Sequence, residues 1–263
     1  MGTVSKVKVS WDLKSAIVDA VKQLGGITKF IKKGETVLLK PNFNTADEFP
    51  GSSDLEFLKV VIELMYQAEA GELILGESST FMQNPENVMK KMGVYQLQQS
   101  FPKLKIVNFN QGKWLKKTIP NGKYLKTASI PEVLSQVDKI IFLPCLKTHF
   151  MAQFTGSIKL AVGIMKPIER LSMHARNLQE KIAELSTLVQ PDLIIMDGRK
   201  CFISGGPGTG EVREPDLILA ATDRVALDIE GIKIIQSFPG NSLTGIIPEQ
   251  LPQIKRAIEM NLK

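Results

Sequence analysis

The stretch TVLLKPNFNTADEFPGSSDLEFLKVVIELMYQAEAGELILGESS, residues 36–79, decides the fold class. Its apolar run from Thr36 to Leu39 stops at Lys40-Pro41-Asn42, and the loop from Thr45 to Gly51 leads to Ser53-x-x-Glu56, spaced as a capping box. Behind that box Leu55, Leu58, Ile62 and Met65 recur at helical spacing. A second apolar run, Glu72 to Leu75, ends in Gly76-Glu77-Ser78-Ser79. Strand, helix, strand in one connection predicts a βαβ unit, because parallel neighbours need a helical crossover.

Outward from this unit the same logic repeats. Val4 to Val9 predicts a strand, and Leu13, Ala16, Ile17, Ala20, Val21 and Leu24 predict a helix closed by Gly25-Gly26. Further on come a strand at Ile140–Leu143, one long helix from about Glu169 to Val189, and strands at Leu193–Met196 and Leu217–Ala221. Helices from about Val225 to Ser237 and from Pro248 to Leu262 complete the pattern. Between them, Asn110-Gln111-Gly112 and Asn121-Gly122 punctuate short alternating runs that predict hairpins, and a short helix starts at Pro131. With no internal repeat or low-complexity linker, the expectation is a single α/β domain over residues 1–263. It has a largely parallel sheet with flanking helices and an antiparallel hairpin insertion at roughly 104–130.

Composition narrows the function classes. With 43% hydrophobic and 23% charged residues, the 263-residue chain can bury a large core. The net charge of +6 arises from 33 basic against 27 acidic residues, with no basic run longer than two and only 6% aromatics. Nucleic-acid binders interleave aromatics with basic residues for stacking, so nucleic acid is an unlikely partner. Two cysteines, Cys145 and Cys201, with no C-x-x-C spacing, supply neither a disulfide framework nor the ligands of an iron–sulfur cluster. No apolar run approaches the roughly 20 residues of a membrane span, and no signal-peptide core is visible. The expectation is a cytoplasmic protein that does not engage a membrane.

In open α/β sheets ligands bind where strands end at their carboxyl side. The predicted strand ends carry Lys40 and Asn42; Glu77, Ser78 and Ser79; Lys147, Thr148 and His149; Asp197 and Gly198; and Thr222 with Asp223. Ten residues beyond this third group's apolar lead come Thr155, Gly156, Ser157 and Lys159. Lysine, histidine and hydroxyls collected at buried strand ends predict a composite site for a small anionic ligand, a carboxylate or a phosphate ester. Lys40, Asn42, Glu77, Ser78, Ser79, Thr155, Gly156, Lys159, Gly206 and Gly208 are the candidate substrate contacts. His149 is the candidate acid–base, oriented or charged by Asp197, with Lys147 polarising the developing negative charge.

Each of these residues also has a structural reading. Lys40 and Lys147 pair equally well with Glu77 or Asp197, or serve as a base if desolvated. His149 and His174, the two histidines, are candidate metal ligands whose spacing is not diagnostic; His174 reads equally as a partly buried helix residue. A divalent metal stays open. Gly205-Gly206-Pro207-Gly208-Thr209-Gly210 lacks the strand–helix context of a phosphate loop and reads as a tight loop, a backbone nest or a lid. Cys145 is a core residue or a thiolate nucleophile beside Lys147. Asp223 reads as a helix N-cap, with Asp228 a ligand or a buried structural group.

Taken together, Val37-Leu38-Leu39-Lys40-Pro41-Asn42, Leu73-Ile74-Leu75-Gly76-Glu77-Ser78, Leu143-Pro144-Cys145-Leu146-Lys147-Thr148-His149 and Thr155-Gly156-Ser157-Ile158-Lys159 with Gly163 resemble the family called domain of unknown function 362. Pro191-Asp192-Leu193, Asp197-Gly198, the Gly206-Pro207-x-x-Gly210 loop and Thr222-Asp223-x-x-Ala226-x-Asp228 extend the resemblance over most of the chain. Leu160 stands where family members often have asparagine. Some members carry a ferredoxin-like cysteine segment that this chain lacks, so the resemblance implies no cluster here. It does imply a second reading: a non-catalytic metal- or anion-binding accessory protein for a ferredoxin-like iron–sulfur or redox partner. The family is also distantly similar, at fold level, to nickel-dependent lactate racemase, which handles a small hydroxy acid with lysine and histidine residues.

Overall fold

The computed structural model describes residues 2–80 and 82–263. Twelve strands are assigned among them: β1 Val4–Lys8, β2 Thr36–Lys40, β3 Glu72–Glu77, β4 Leu104–Asn108, β5 Trp114–Thr118, β6 Thr127–Pro131, β7 Lys139–Phe142, β8 Cys145–His149, β9 Gln153–Thr155, β10 Leu193–Gly205, β11 Gly210–Arg213 and β12 Leu217–Ala221. Ten of them form one sheet whose backbone order is β1-β12-β10-β7-β2-β3-β4, with β8, β9 and β11 attached through the far half of β10. From β10 to β4 every pairing is parallel, as the βαβ pattern requires.

The side-chain period of two sorts this sheet into two cores. Val37, Leu39, Leu73, Leu75, Ile141 and Leu143 face the helices Leu13–Lys22 and Leu55–Gln67. Leu38, Ile74, Phe142, Ile194 and Met196 face the opposite layer, where Leu178–Ser186, Arg224–Gln236 and Pro252–Glu259 pack. Both faces of β2, β3 and β7 are therefore dry, which explains their near-continuous apolar runs.

Strand order reverses between β2 and β7: from β2 the chain builds outward to β3 and β4, then returns to β7 and continues to β10. Such a switch point opens a crevice at the carboxyl ends of the strands. β7 stops before Leu143-Pro144 and its line continues as β8, which pairs in parallel with β10 beyond a register shift. Lys147, Thr148 and His149 thus lie on a strand, not in the loop expected from Pro144.

Several expected elements differ. Asp54, not Ser53, caps Leu55–Gln67 by accepting from Phe57 N at 2.9 Å; the Ser53 hydroxyl is drawn away to Asn42 N at 2.8 Å. The single long helix is two, Pro167–Met173 and Leu178–Ser186, parted where Asn177 adopts a left-handed φ of 54°. Asparagine tolerates that conformation and ends the first helical run. β4 is a parallel edge strand of the main sheet, and only β5 and β6 form the antiparallel hairpin, a separate two-stranded sheet. The expected helix at Pro131 is a 3₁₀ turn, Glu132–Ser135, and the last helix spans only Pro252–Glu259. β12 runs antiparallel to β10, so Thr222 and Asp223 leave the sheet at the end opposite the crevice. There Asp223 caps the helix Arg224–Gln236 through Ala226 N and also accepts from Gly2 N.

Candidate functional site

At the switch point lies a narrow cleft of about 50 Å³, lined by residues after β2 (Lys40, Asn42, Asn44, Thr45, Gly51), after β3 (Glu77, Ser78), on β8 and β9 (Lys147, Thr155), along 159–163, and by Pro207. That is room for a few water-sized groups, the scale of a small anion and not of a large cofactor. Six of the sequence's candidate contacts, Lys40, Asn42, Glu77, Ser78, Thr155 and Lys159, meet there with Lys147.

Lys40 ends β2 with 1% of its surface exposed, and its ammonium donates to Pro41 O and Glu77 Oε1, both at 2.7 Å. Glu77 is saturated: Oε1 also accepts from Ser78 N at 2.7 Å and Oε2 from Phe43 N at 2.8 Å. Burial pushes the Lys40 pKa down and Glu77 opposes it. Gly163 is required beside this pair, because a Cβ there would come within 2.7 Å of Lys40 Nζ and 3.1 Å of Glu77 Oε1.

Arg170, from the short helix Pro167–Met173, reaches the cleft's back wall. Its guanidinium donates to Met165 O and Ser79 O at 2.8 Å each and to the Ser78 hydroxyl, which in turn donates to Gly163 O at 2.7 Å. Burial holds its pKa down at about 10 against the pull of Glu77. Nothing in the local sequence distinguishes Arg170 from an exposed helical arginine. Only its position one turn after Lys166-Pro167, beyond the Gly163 bend, hints at an inward path. Ser79, a candidate contact, spends its hydroxyl on Phe43 O at 3.1 Å.

Lys147 on β8 is 2% exposed and donates to Gly51 O. Its pKa is lowered by burial, with Cys145 and Asp47 acting the other way. Directly across the strand pair sits Thr155, on the same face, whose buried hydroxyl has no hydrogen-bond partner among the described residues. Lys159, in the first turn after β9, has no ion-pair or hydrogen-bond partner among the described residues. Burial lowers its pKa to about 7, with Lys147 and then Arg170 adding repulsion and no group favouring the charged form. Its side chain remains partly open to the cleft.

His149 ends β8. Its Nδ1 accepts from Met151 N at 3.0 Å and Ala152 N at 3.2 Å, which places the ring proton on Nε2. Burial, then Lys159, Lys147 and His174, depress its pKa to about 2, so the ring is neutral at physiological pH. Asp197 does not orient it: mid-strand in β10, its carboxylate is taken by Arg199 at 3.0 and 2.8 Å, and Arg199 continues to Asp54 at 2.6 Å. Burial raises the Asp197 pKa against that arginine. Cys145 is a core residue whose thiol burial pushes up to about 11.

Three candidate glycines have packing reasons for being glycine. At Gly156 a Cβ would meet Asp228 Oδ1 at 2.3 Å; Asp228 accepts from Ser157 N at 2.7 Å and Ile158 N at 3.0 Å, with its pKa raised by burial to about 7. A Cβ on Gly206 (φ 72°) would strike Thr148 O, and one on Gly208 would strike Asp47. The glycine segment is the turn of the β10–β11 hairpin, laid across the 43–53 loop with Pro207 facing the cleft.

The donors do not fit a metal. His149 Nδ1 is occupied, His174 is exposed with Nδ1 2.8 Å from Arg170 O, and the cleft's one carboxylate is saturated. Among the described residues no three His, Cys, Asp or Glu side chains come together as a metal site. No helix among them is long and apolar enough to cross a membrane.

The chain is 28% identical over 257 residues to a thylakoid-associated protein of Synechocystis sp., covering 94% of this chain and 78% of the relative. Among solved structures it resembles the lactate racemase apoprotein of Thermoanaerobacterium thermosaccharolyticum, with a TM-score of 0.58 at 12% identity, over 89% of this chain. It spans only 63% of that protein's length, and at this identity the likeness is one of fold. The family model described as Domain of unknown function (DUF362) matches residues 37–233, from β2 through the helix after β12, and the chain belongs to that family.

Proposed function

We propose that the cleft binds a small anion, a carboxylate or a phosphate ester, and that the protein is an enzyme working on it by proton transfer. The observation that carries this reading is a charge imbalance: Lys40, Lys147, Lys159 and Arg170 gather in and behind the cleft against two carboxylates, Glu77, which is held by Lys40 and two backbone N–H groups, and Asp47, which acts on Lys147. Buried positive charge that outnumbers its counter-charges is costly, and an anion in the cleft would relieve that cost.

In this reading Lys147 and the unpartnered Thr155 hydroxyl hold the anion, with Lys40 and Arg170 supplying field from behind. Lys159, poised near neutrality, takes and returns the proton. His149, neutral with its proton on Nε2, serves as a hydrogen-bond donor and not as the acid–base first expected of it. The alternative of an accessory protein for an iron–sulfur or redox partner keeps its anion-binding half; its metal half is disfavoured by the donor set. The relative's thylakoid association adds a membrane-surface location to the cytoplasmic one expected from the sequence, and cell fractionation separates the two.

A thermal-shift titration with inorganic phosphate, lactate and pyruvate tests the proposal. An anion at about a hundred times its dissociation constant adds roughly 2.7 kcal/mol, on the order of 5–10 °C for a chain of this size. The shift is expected in the wild type and absent from Lys147→Ala. Failure of every anion to stabilise the wild type would overturn the reading.

A further inference from the structure

We infer that Lys159 is a nucleophile: the cleft accepts a small aldehyde or ketone bearing a carboxylate or phosphate, and its carbonyl condenses with Lys159 Nζ to an imine. The inference rests on the anion-binding reading above and replaces the proton-transfer role given there to Lys159 with a covalent one. Three lysines share the cleft, and they differ in what holds their nitrogens. Lys40 is locked between Glu77 and Pro41 O, and Lys147 donates to Gly51 O. Lys159 Nζ has no partner among the described residues and still opens onto the cleft, so its lone pair alone is available to a ligand held there.

The surroundings favour the neutral amine that such an attack needs. Every influence on Lys159 opposes its charge, burial first and then the neighbouring Lys147 and Arg170, which brings its pKa to about 7. A lysine desolvated beside another cation is the usual way to activate an amine for this chemistry. The same cations draw the ligand's anionic group to the cleft, and the free Thr155 hydroxyl lies across from Lys147 to bind it.

The step balances without an oxidant or reductant. The amine nitrogen bonds to the carbonyl carbon as its π bond opens, giving a carbinolamine. The carbon–oxygen bond then breaks; Lys147 lends a proton to the departing hydroxyl and recovers one from the nitrogen. One amine and one carbonyl yield one imine and one water.

The test incubates the full chain with pyruvate in one arm and pyridoxal 5′-phosphate in the other, so that carboxylate and phosphate carriers are told apart. Sodium cyanoborohydride then traps any imine, and peptide mass mapping locates it. Labelling of Lys159 is expected to exceed that of every other lysine by about tenfold or more, since exposed amines stay protonated near neutrality. It is expected to fall when excess inorganic phosphate competes. Lys159→Arg should keep phosphate-induced stabilisation and lose the adduct. Labelling spread over surface lysines without preference for Lys159, while phosphate still stabilises the protein, overturns this inference and leaves anion binding standing. If phosphate neither stabilises nor competes, both readings fall.

Discussion

Two buried charge clusters in this protein have opposite economies. Glu184, fully buried on the helix Leu178–Ser186, accepts from Lys123 N, Tyr124 N and Leu125 N at 2.6–2.9 Å and from Arg256 at 2.7 and 2.9 Å. Burial works against its charge, but these donors outweigh it and hold its pKa below the usual carboxylate range. One charge meets a complete set of partners, and the result is a rivet that ties the β5–β6 loop to the helical layer. In and behind the cleft four cations meet two carboxylates, Glu77 and Asp47, and among the described residues the Lys159 amine and the Thr155 hydroxyl have no partner. A closed cluster is finished by folding; the open one is what the anion-binding proposal would have a ligand complete.

The largest expected effect lies in the closed cluster. Glu184→Ala leaves Arg256 and three N–H groups without their acceptor and should cost about 3–5 kcal/mol, a Tm loss of roughly 6–15 °C. Phosphate-induced stabilisation should be unchanged in the variant, as read by the same thermal-shift titration. Loss of both together would show that the two clusters are not separable. Glu77→Gln should cost somewhat less, about 3 kcal/mol, because it strands Lys40 beside Arg170. Unlike the first variant, it should be partly rescued by phosphate, since an anion in the cleft supplies the missing charge. Chemical denaturation with and without phosphate distinguishes the two responses.

Much of this site was legible before the fold. Lys40, Glu77 and Lys147 each follow an apolar run, and a strand that ends in a charged residue in a parallel sheet delivers that residue to the crevice. Local pattern carried that far because strand ends and switch points are coupled by topology. It failed where partners are chosen across the chain. Leu217–Ala221 reads like its parallel neighbours, and nothing within it announces that it runs backwards and takes Asp223 to the far edge. Asp197 looked like an orienter for His149, yet Arg199, two residues on, reaches it first. Arg170 was invisible because an inward arginine and an exposed one share the same helical context; burial against Ser78 and Ser79 is a tertiary fact. Gly156, Gly206 and Gly208 were expected as substrate contacts, whereas what the fold shows for each is close packing, against Asp228, Thr148 and Asp47.

Acid sharpens the contrast further. His149 is buried neutral, with a pKa near 2 in the folded chain against about 6.5 when unfolded. Between those values the unfolded chain binds a proton that the native state does not, so this residue's stability contribution is lost as pH falls below about 6.5. By pH 5 that amounts to about 2 kcal/mol. His149→Asn, whose side-chain oxygen can still accept from Met151 and Ala152, should lack this part of the slope. Equilibrium unfolding of both proteins between pH 7 and pH 5 measures it, and identical slopes would mean that the imidazole is not held neutral.

The smallest expected effect is the one that separates a site from a scaffold. Lys159 has its pKa near 7 in the folded chain and an ordinary lysine value when unfolded, so across the window from about 7 to 10.5 only the unfolded chain holds the proton. Stability therefore rises with pH through that window, and at neutral pH the unpartnered amine is a liability. Lys159→Met removes it and should raise stability by about 1 kcal/mol, a figure kept small because the side chain is partly open to water, or roughly 2–4 °C. The gain should shrink as pH rises through about 10.5, above which the wild-type amine is uncharged in both states, and phosphate should stabilise the variant less than the wild type. A residue whose removal strengthens the protein while weakening its response to an anion is one the fold keeps for its ligand. If Lys159→Met instead weakens the protein at pH 7, the open cluster is closed after all, and its apparent incompleteness belongs to structure and not to binding.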